Sequence, residues 1–134
     1  MQIQKIITIF ATEFKNTNIM ATYIFDKPFL DKAIAGVRAL KLAELKARKE
    51  ISWWLDSRHK SAVVAEYRQL GGRGAGIAID LDVMTEDGYS DKKNIGLSTS
   101  GTGQSTANSE ERAFDSVKQS ALRRLEVLKS RGII

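Results

Sequence analysis

The stretch "GIAIDLDVM", residues 76–84, carries the clearest structural signal in this chain of 134 residues. Apolar residues occupy every second position from Ile77 to Val83, and Asp80 and Asp82 stand between them. Side chains of a β-strand point alternately to its two faces, so strict alternation indicates that one face is buried. The stretch therefore predicts a half-buried strand with one polar face.

The residues that follow predict a hairpin and then a helix. Asp87-Gly88 is a turn signal, and "NIGLS", residues 94–98, has the spacing of a returning strand. From Ser109 onward, apolar residues recur every three or four positions, which is typical of an amphipathic helix. Gly132 is placed to end that helix.

The first half of the chain is less regular. Residues 20–26, "MATYIFD", predict a strand, and residues 28–50 predict a helix with Pro28 in its first turn. For residues 51–70 we favour a continuing helix with a break near Asp56. The alternative is a strand through "SAVVAEY", and the apolar spacing alone does not decide between the two.

These elements predict one α+β domain over residues 20–134, in which an antiparallel hairpin or small sheet packs against two or three helices. Residues 1–19 are an N-terminal extension or an added edge strand, because residues 6–10 have strand character. Their apolar run is too short for a signal-peptide core, and no stretch has the length of a transmembrane helix, so we expect a cytoplasmic protein. The lack of cysteine excludes disulfides and cysteine nucleophiles.

The charge of the chain predicts an anionic partner, because its formal net charge is +5. The stretch from Arg38 to Arg73 holds nine Lys or Arg residues against four Asp or Glu. Trp53, Trp54 and Tyr67 are interleaved with these charges, which suits phosphate neutralisation combined with base stacking. The alternative is that the rings pack in the core. Two adjacent tryptophans cannot both enter one core from a regular element, so one of them should be partly exposed or should lie at an interface between subunits.

The loop "STSGTGQSTANSEER", residues 98–112, has the glycines and hydroxyls of an anion site just before a helix. Glu110 and Glu111 would repel a phosphate at the helix start, so a plain loop with an N-cap at Asn108 or Ser109 is the alternative. If the loop binds a ligand, we expect the contacts to come from its first half, at Ser98, Thr102 and Ser105.

Three further features allow both a chemical and a structural interpretation. Arg73 stands between glycines, where it is free to meet a phosphate or to belong to a flexible turn. Asp80 and Asp82 share one face of a strand and would suit a divalent cation in a metal-dependent nuclease; the alternative is an exposed polar face. His59 is the single histidine and is interpreted as a surface residue. No cofactor is expected.

From residue 75 to about residue 130, the order of strand, Asp87-Gly88 turn, strand, polar loop and the helix "AFDSVKQSALRRL" resembles the β–β–α core of the single-strand annealing recombination proteins. In that superfamily an aromatic residue precedes the hairpin, as Trp54 does here. The resemblance implies oligomeric rings and a basic groove for single-stranded DNA, to which Lys118, Arg123 and Arg124 would contribute. The stretch from "GTGQS" to "SAL" is also similar to the end of double-stranded RNA-binding domains, although Ser105-Thr106 replaces their paired lysines.

The leading hypothesis is therefore a non-enzymatic nucleic-acid-binding protein, oligomeric and of phage or mobile-element origin. Its groove would be lined by Arg73, Lys118, Arg123 and Arg124. One alternative is a nucleotide-sequestering module that uses the 98–112 loop, because small phage proteins that sequester cyclic nucleotides are of similar size. The other is the metal-dependent nuclease built on the two strand aspartates.

Overall fold

The computed structural model describes residues 22–69, 75–99 and 107–134. Over these ranges, five antiparallel strands form one sheet and three helices accompany it, which confirms the predicted α+β class. None of these helices is both long and apolar enough to cross a membrane. In chain order the elements are β1 (Tyr23–Ile24), α1 (Lys27–Ala39), α2 (Leu42–Arg48), β2 (Glu50–Trp54), β3 (Ala62–Gln69), β4 (Ala75–Thr85), β5 (Ser90–Thr99) and α3 (Ala107–Arg131).

Strand β4 is the centre of the sheet. It pairs with β5 along one edge, and with both β3 and the short β1 along the other, where β1 continues the line of β3. Strand β2 pairs with β3 and is the last strand on that side. The alternation predicted for residues 76–84 is confirmed, because its four aliphatic side chains are fully buried: Ile77, Ile79, Leu81 and Val83.

The three helices pack on one face of this sheet. Helix α3 lies against β5 at Gly96, where an added Cβ would be 2.6 Å from the carbonyl oxygen of Val117. The β4–β5 register shifts at this point, so Ile95 is an extra residue, and its carbonyl accepts a hydrogen bond from Ser120 Oγ at 2.8 Å. The opposite face of the sheet carries no helix of the described ranges and is called here the open face.

The prediction of a helix over residues 51–70 is wrong. Residues 50–54 and 62–69 are strands β2 and β3, as the alternative interpretation of "SAVVAEY" had it. In β3 the buried residues Val63, Ala65 and Tyr67 recur with period two. The strand has partners on both edges, so tertiary pairing outweighs the weak helical spacing of its side chains. The regular structure is interrupted near Asp56 as predicted, but the interruption is a connection between two strands and not a break in a helix.

The predicted helix over residues 28–50 is interrupted. Helix α1 ends at Ala39 and α2 ends at Arg48, after which Lys49 adopts a φ of 71°. The end of α1 is held by Lys118 of α3, whose Nζ donates to the carbonyl oxygens of Arg38 at 2.9 Å and Leu40 at 2.8 Å. A cation at a helix C-terminus satisfies carbonyls that the helix itself leaves unpaired.

The remaining boundaries are closer to expectation. Pro28 lies in the first turn of α1, and Gly132, with a φ of 77°, follows the end of α3. Helix α3 begins at Ala107, so Asn108 and Ser109 lie inside the helix and not at its N-cap. The strand expected at residues 20–26 is only two residues long within the described ranges. Residues 1–19 lie outside those ranges.

We expect Ser61→Ala to destabilise the fold by about 1–3 kcal/mol, because the Ser61 hydroxyl joins β1 to β4 in place of a ladder bond. The hydroxyl is buried, accepts from the Met84 N–H at 3.0 Å and donates to the Ile24 carbonyl at 2.8 Å. Its loss leaves the half-buried N–H of Met84 without this partner. Urea unfolding measures the change, with the exposed Ser57→Ala as control. Equal midpoints for the two variants would contradict this role.

Candidate nucleic-acid interface

Trp54 is the most exposed of the aromatic residues singled out from the sequence. It ends β2 on the open face and leaves 47% of its surface accessible. Its ring stacks on the imidazole of His59, with centroids 4.6 Å apart and planes 13° from parallel. One of the two adjacent tryptophans is therefore exposed, as predicted.

The connection from β2 to β3, residues 55–61, places His59 on Trp54. The buried Asp56 organises it: its Oδ1 accepts from the backbone N–H of Lys60 at 2.7 Å, and its carbonyl accepts from the N–H of His59 at 3.3 Å. His59 adopts a φ of 59°, a left-handed conformation that turns the chain back over the strand. Sequence reasoning missed this pair because it did not interpret residues 51–70 as two strands joined by a turn.

Trp53 points the other way, toward α1. Its ring occupies the space above Gly36, where an added Cβ would be 2.6 Å from Trp53 Cδ1. Beside the two tryptophans, at the β2 edge of the sheet, lies a shallow cavity of about 330 Å³. We call this cavity, with its walls, the Trp54 site; it is lined by Phe29, Lys32, Ala33, Ser52, Trp53, Trp54 and His59.

Tyr67, the third predicted stacking residue, does not offer a ring to a ligand. It is 5% exposed, and its hydroxyl donates to Glu110 Oε2 at 2.9 Å. Lys46 Nζ donates to the other oxygen of Glu110 at 3.0 Å, and the ammonium groups of Lys46 and Lys49 lie 5.7 and 5.3 Å from the Tyr67 ring centroid. This group of side chains, formed by Tyr67, Glu110 and Lys46, connects the start of α3 to α2 and β3.

The protonation of this group follows from its contacts. The hydrogen bond from Lys46 holds the pKa of Glu110 below its ordinary value, helped by the Tyr67 hydroxyl. The same bond raises the pKa of Lys46. Burial, together with Glu110, raises the pKa of Tyr67. At neutral pH the group thus holds a carboxylate, an ammonium and a neutral phenol, and Glu110 is committed to this structural contact.

The predicted basic groove is only partly assembled. Lys118 and Arg123 line one cleft between α1 and α3, of about 360 Å³, together with Arg38. Lys118 is occupied with the end of α1, as described above. Arg124 is exposed on α3 but does not line the cleft.

Helix α1 separates this cleft from the Trp54 site. Lys32 lies on the flank of α1 that faces β2, whereas Arg38 and Asp31 lie on the opposite flank, where Asp31 pairs with Lys129 of α3 at 3.0 Å. The structure therefore does not place the tryptophans and the α3 cations in one groove.

The other predicted positions are scattered. Asp80 accepts from Asn94 Nδ2 at 2.9 Å and Asp82 accepts from Ser90 Oγ at 3.1 Å on the open face. Within the described part of the chain, no group of three or more potential metal-binding side chains occurs. Ser98 is half-buried in β5 opposite Ile77, so it belongs to the sheet. Arg73, Thr102 and Ser105 lie outside the described ranges.

We expect the Glu110 contacts to stabilise the fold at neutral pH and to lose this stabilising contribution at acidic pH. A carboxyl whose folded pKa is lowered contributes above its ordinary pKa of about 4.5, and loses that contribution as the pH falls through the folded value. Glu110→Gln should cost about 1 kcal/mol at pH 7, and the gap to wild type should close below pH ~4. Urea unfolding at several pH values tests this. The exposed Glu111→Gln is the control, and a gap that does not vary with pH would contradict the assignment.

Comparison of the chain with known proteins finds no matching family model, no matching curated protein and no matching solved structure. Its function must therefore be inferred from the geometry just described.

Proposed function

We propose that the protein binds single-stranded nucleic acid, with Trp54 as the stacking platform. The observation that carries the proposal is the exposed Trp54 ring held flat against His59. A π-face accepts any base, and stacking on an aromatic side chain contributes about 1–3 kcal/mol per base. One side of the indole is covered by His59, and the exposed part of the ring is available to a base.

Basic residues lie next to this platform. Lys32 lines the Trp54 site, and Arg58 and Lys60 are exposed on either side of His59. Phosphates that follow a stacked base along a strand would meet these side chains, and their neutralisation releases counterions. The combination of aromatic faces with adjacent positive charge is the usual arrangement of sites that bind single strands without sequence preference.

The platform is also preorganised. Asp26 Oδ2 accepts from the backbone N–H of Ser57 at 3.1 Å, and Asp56 holds the N–H of Lys60. These bonds fix both ends of the segment that carries Arg58 and His59. A ligand that binds a fixed loop loses less entropy on association than one that must order the loop first.

The charge of the open face suggests the path that a bound nucleic-acid strand would take. Across the sheet from Trp54, the open face carries Glu50, Glu66, Asp80 and Asp82 against Arg68 and Lys92. Phosphates would be repelled there, so a bound strand should run along the β2 edge and the 55–61 connection toward α1. Annealing activity and a role in recombination would build on such a site.

Trp54→Ala should weaken binding of a fluorescently labelled oligo-dT by roughly 5- to 150-fold, the equivalent of about 1–3 kcal/mol. Fluorescence anisotropy measures the affinity, and Tyr89→Ala is the matched control, because Tyr89 is 72% exposed on the β4–β5 turn. Wild-type affinity for Trp54→Ala, or no binding at low salt, would refute the proposal. Oligo-U in parallel distinguishes RNA from DNA.

The salt dependence of binding tests the cations. The logarithm of the affinity should fall linearly with the logarithm of salt concentration, and Lys32→Ala and Arg58→Ala should each reduce the slope by about 0.7 if each contacts one phosphate. If a mononucleotide competes as well as the oligonucleotide, the site binds single nucleotides, and the strand-binding proposal fails.

A further inference from the structure

Leu97 is an exposed hydrophobic side chain far from the Trp54 site. It lies on β5, is 67% exposed, and faces outward opposite Ala78, which is itself opposite Glu66 of β3. Asp80 is two residues along β4 from Ala78, and thus on the same face. Leu97 therefore projects from the open face with small and acidic neighbours, and nothing in the described ranges covers it.

Over the described strands, the open face carries more acidic than basic residues. Its register brings four carboxylates and two cations to one surface: Glu50, Glu66, Asp80, Asp82, Arg68 and Lys92. An isolated leucine on such a surface is a candidate contact for a partner that is basic around an apolar hollow.

The helical side of the same protein has such a hollow. The cleft between α1 and α3 is lined by the half-buried Leu122, flanked by Arg38, Lys118 and Arg123, with Asp115 as its one acidic residue. Lys118 Nζ donates to the carbonyl oxygens of Arg38 and Leu40 at the edge of this cleft. The cleft is open to solvent and is large enough, at about 360 Å³, to receive a leucine side chain.

We propose that a second copy of this chain docks on the open face, so that Leu97 of one copy enters the α1–α3 cleft of the next. The two surfaces are complementary in shape and in charge. One is a hydrophobic projection with carboxylates beside it, and the other is a hollow with an apolar wall and three cations. Asp80 of one copy would face Arg123 of the other. Glu66 and Arg38 already have partners in their own copy, Arg68 at 3.2 Å and Glu126 at 3.8 Å, and would add to the contact from its margin.

The geometry makes this contact head-to-tail. The open face and the cleft are on opposite sides of the sheet, so each copy uses one surface to bind its predecessor and the other to bind its successor. Trp54 is on the open face too, but it lies on β2 and Leu97 lies on β5, at the two edges of the sheet. A contact centred on Leu97 therefore leaves the Trp54 site accessible. The proposal does not depend on nucleic-acid binding.

Sedimentation velocity over a concentration series tests the proposal. Wild type should associate reversibly at high micromolar concentration, and more weakly as salt rises, because the flanking contacts are ionic. Leu97→Asp and Arg123→Glu should each weaken association about tenfold or more. Their matched controls are Tyr89→Asp, an equally exposed hydrophobic position, and Arg124→Glu, the next residue of the same helix; both should associate like wild type.

A mixture of the two weakened variants identifies the contact. Leu97→Asp keeps an intact cleft and Arg123→Glu keeps an intact projection, so together they should form a heterodimer that does not grow further. A monomeric wild type, an unaffected Arg123→Glu variant, or a mixture that stays monomeric would each overturn the proposal. Circular dichroism on every variant confirms folding, which both exposed positions should tolerate.

Discussion

The pairing of β4 along both of its edges is the interaction on which the other elements depend. Its four aliphatic side chains fill one face, and a strand with one apolar face needs partners at its edges and a layer above that face. Strands β3 and β1 supply one edge, β5 supplies the other, and the three helices supply the layer. The polar half of the same alternation is then left on the open face, which gives that face Asp80 and Asp82.

The parts of the fold that could be predicted from the sequence are those whose secondary structure is determined by a local pattern of residues. The β4 alternation, the turn at Asp87-Gly88 and the long stripe of α3 are local patterns, and each appears in the structure close to its expected place. Residues 51–70 are different, because short apolar runs fit either a helix or a strand. Pairing with β2 and β4 decides between the two, and this pairing cannot be read from the apolar spacing of residues 51–70 alone.

The site shows the same division. The exposure of one of the two adjacent tryptophans could be predicted from their adjacency alone, and the exposed one is Trp54. That His59 stacks on it depends on the turn at Asp56, and that Tyr67 is buried depends on Glu110 from a helix more than forty residues away in sequence. Lys118 is a basic residue on a helix face by any local measure, yet its partners are the carbonyls at the end of α1. Side chains whose partners lie elsewhere in the chain have roles that local composition does not reveal.

The contact between Gly96 and the Val117 carbonyl has a consequence for the surface of the molecule. Since the neighbouring atom is backbone, a side chain at position 96 would have no flexible group to displace and would push α3 away from the sheet. Helix α3 forms one wall of the cleft with α1 and holds the end of α1 through Lys118. The absence of a side chain at Gly96 thus sets the width of the cleft between α1 and α3. A mutation at position 96 would change the shape of that cleft without altering any residue that lines it.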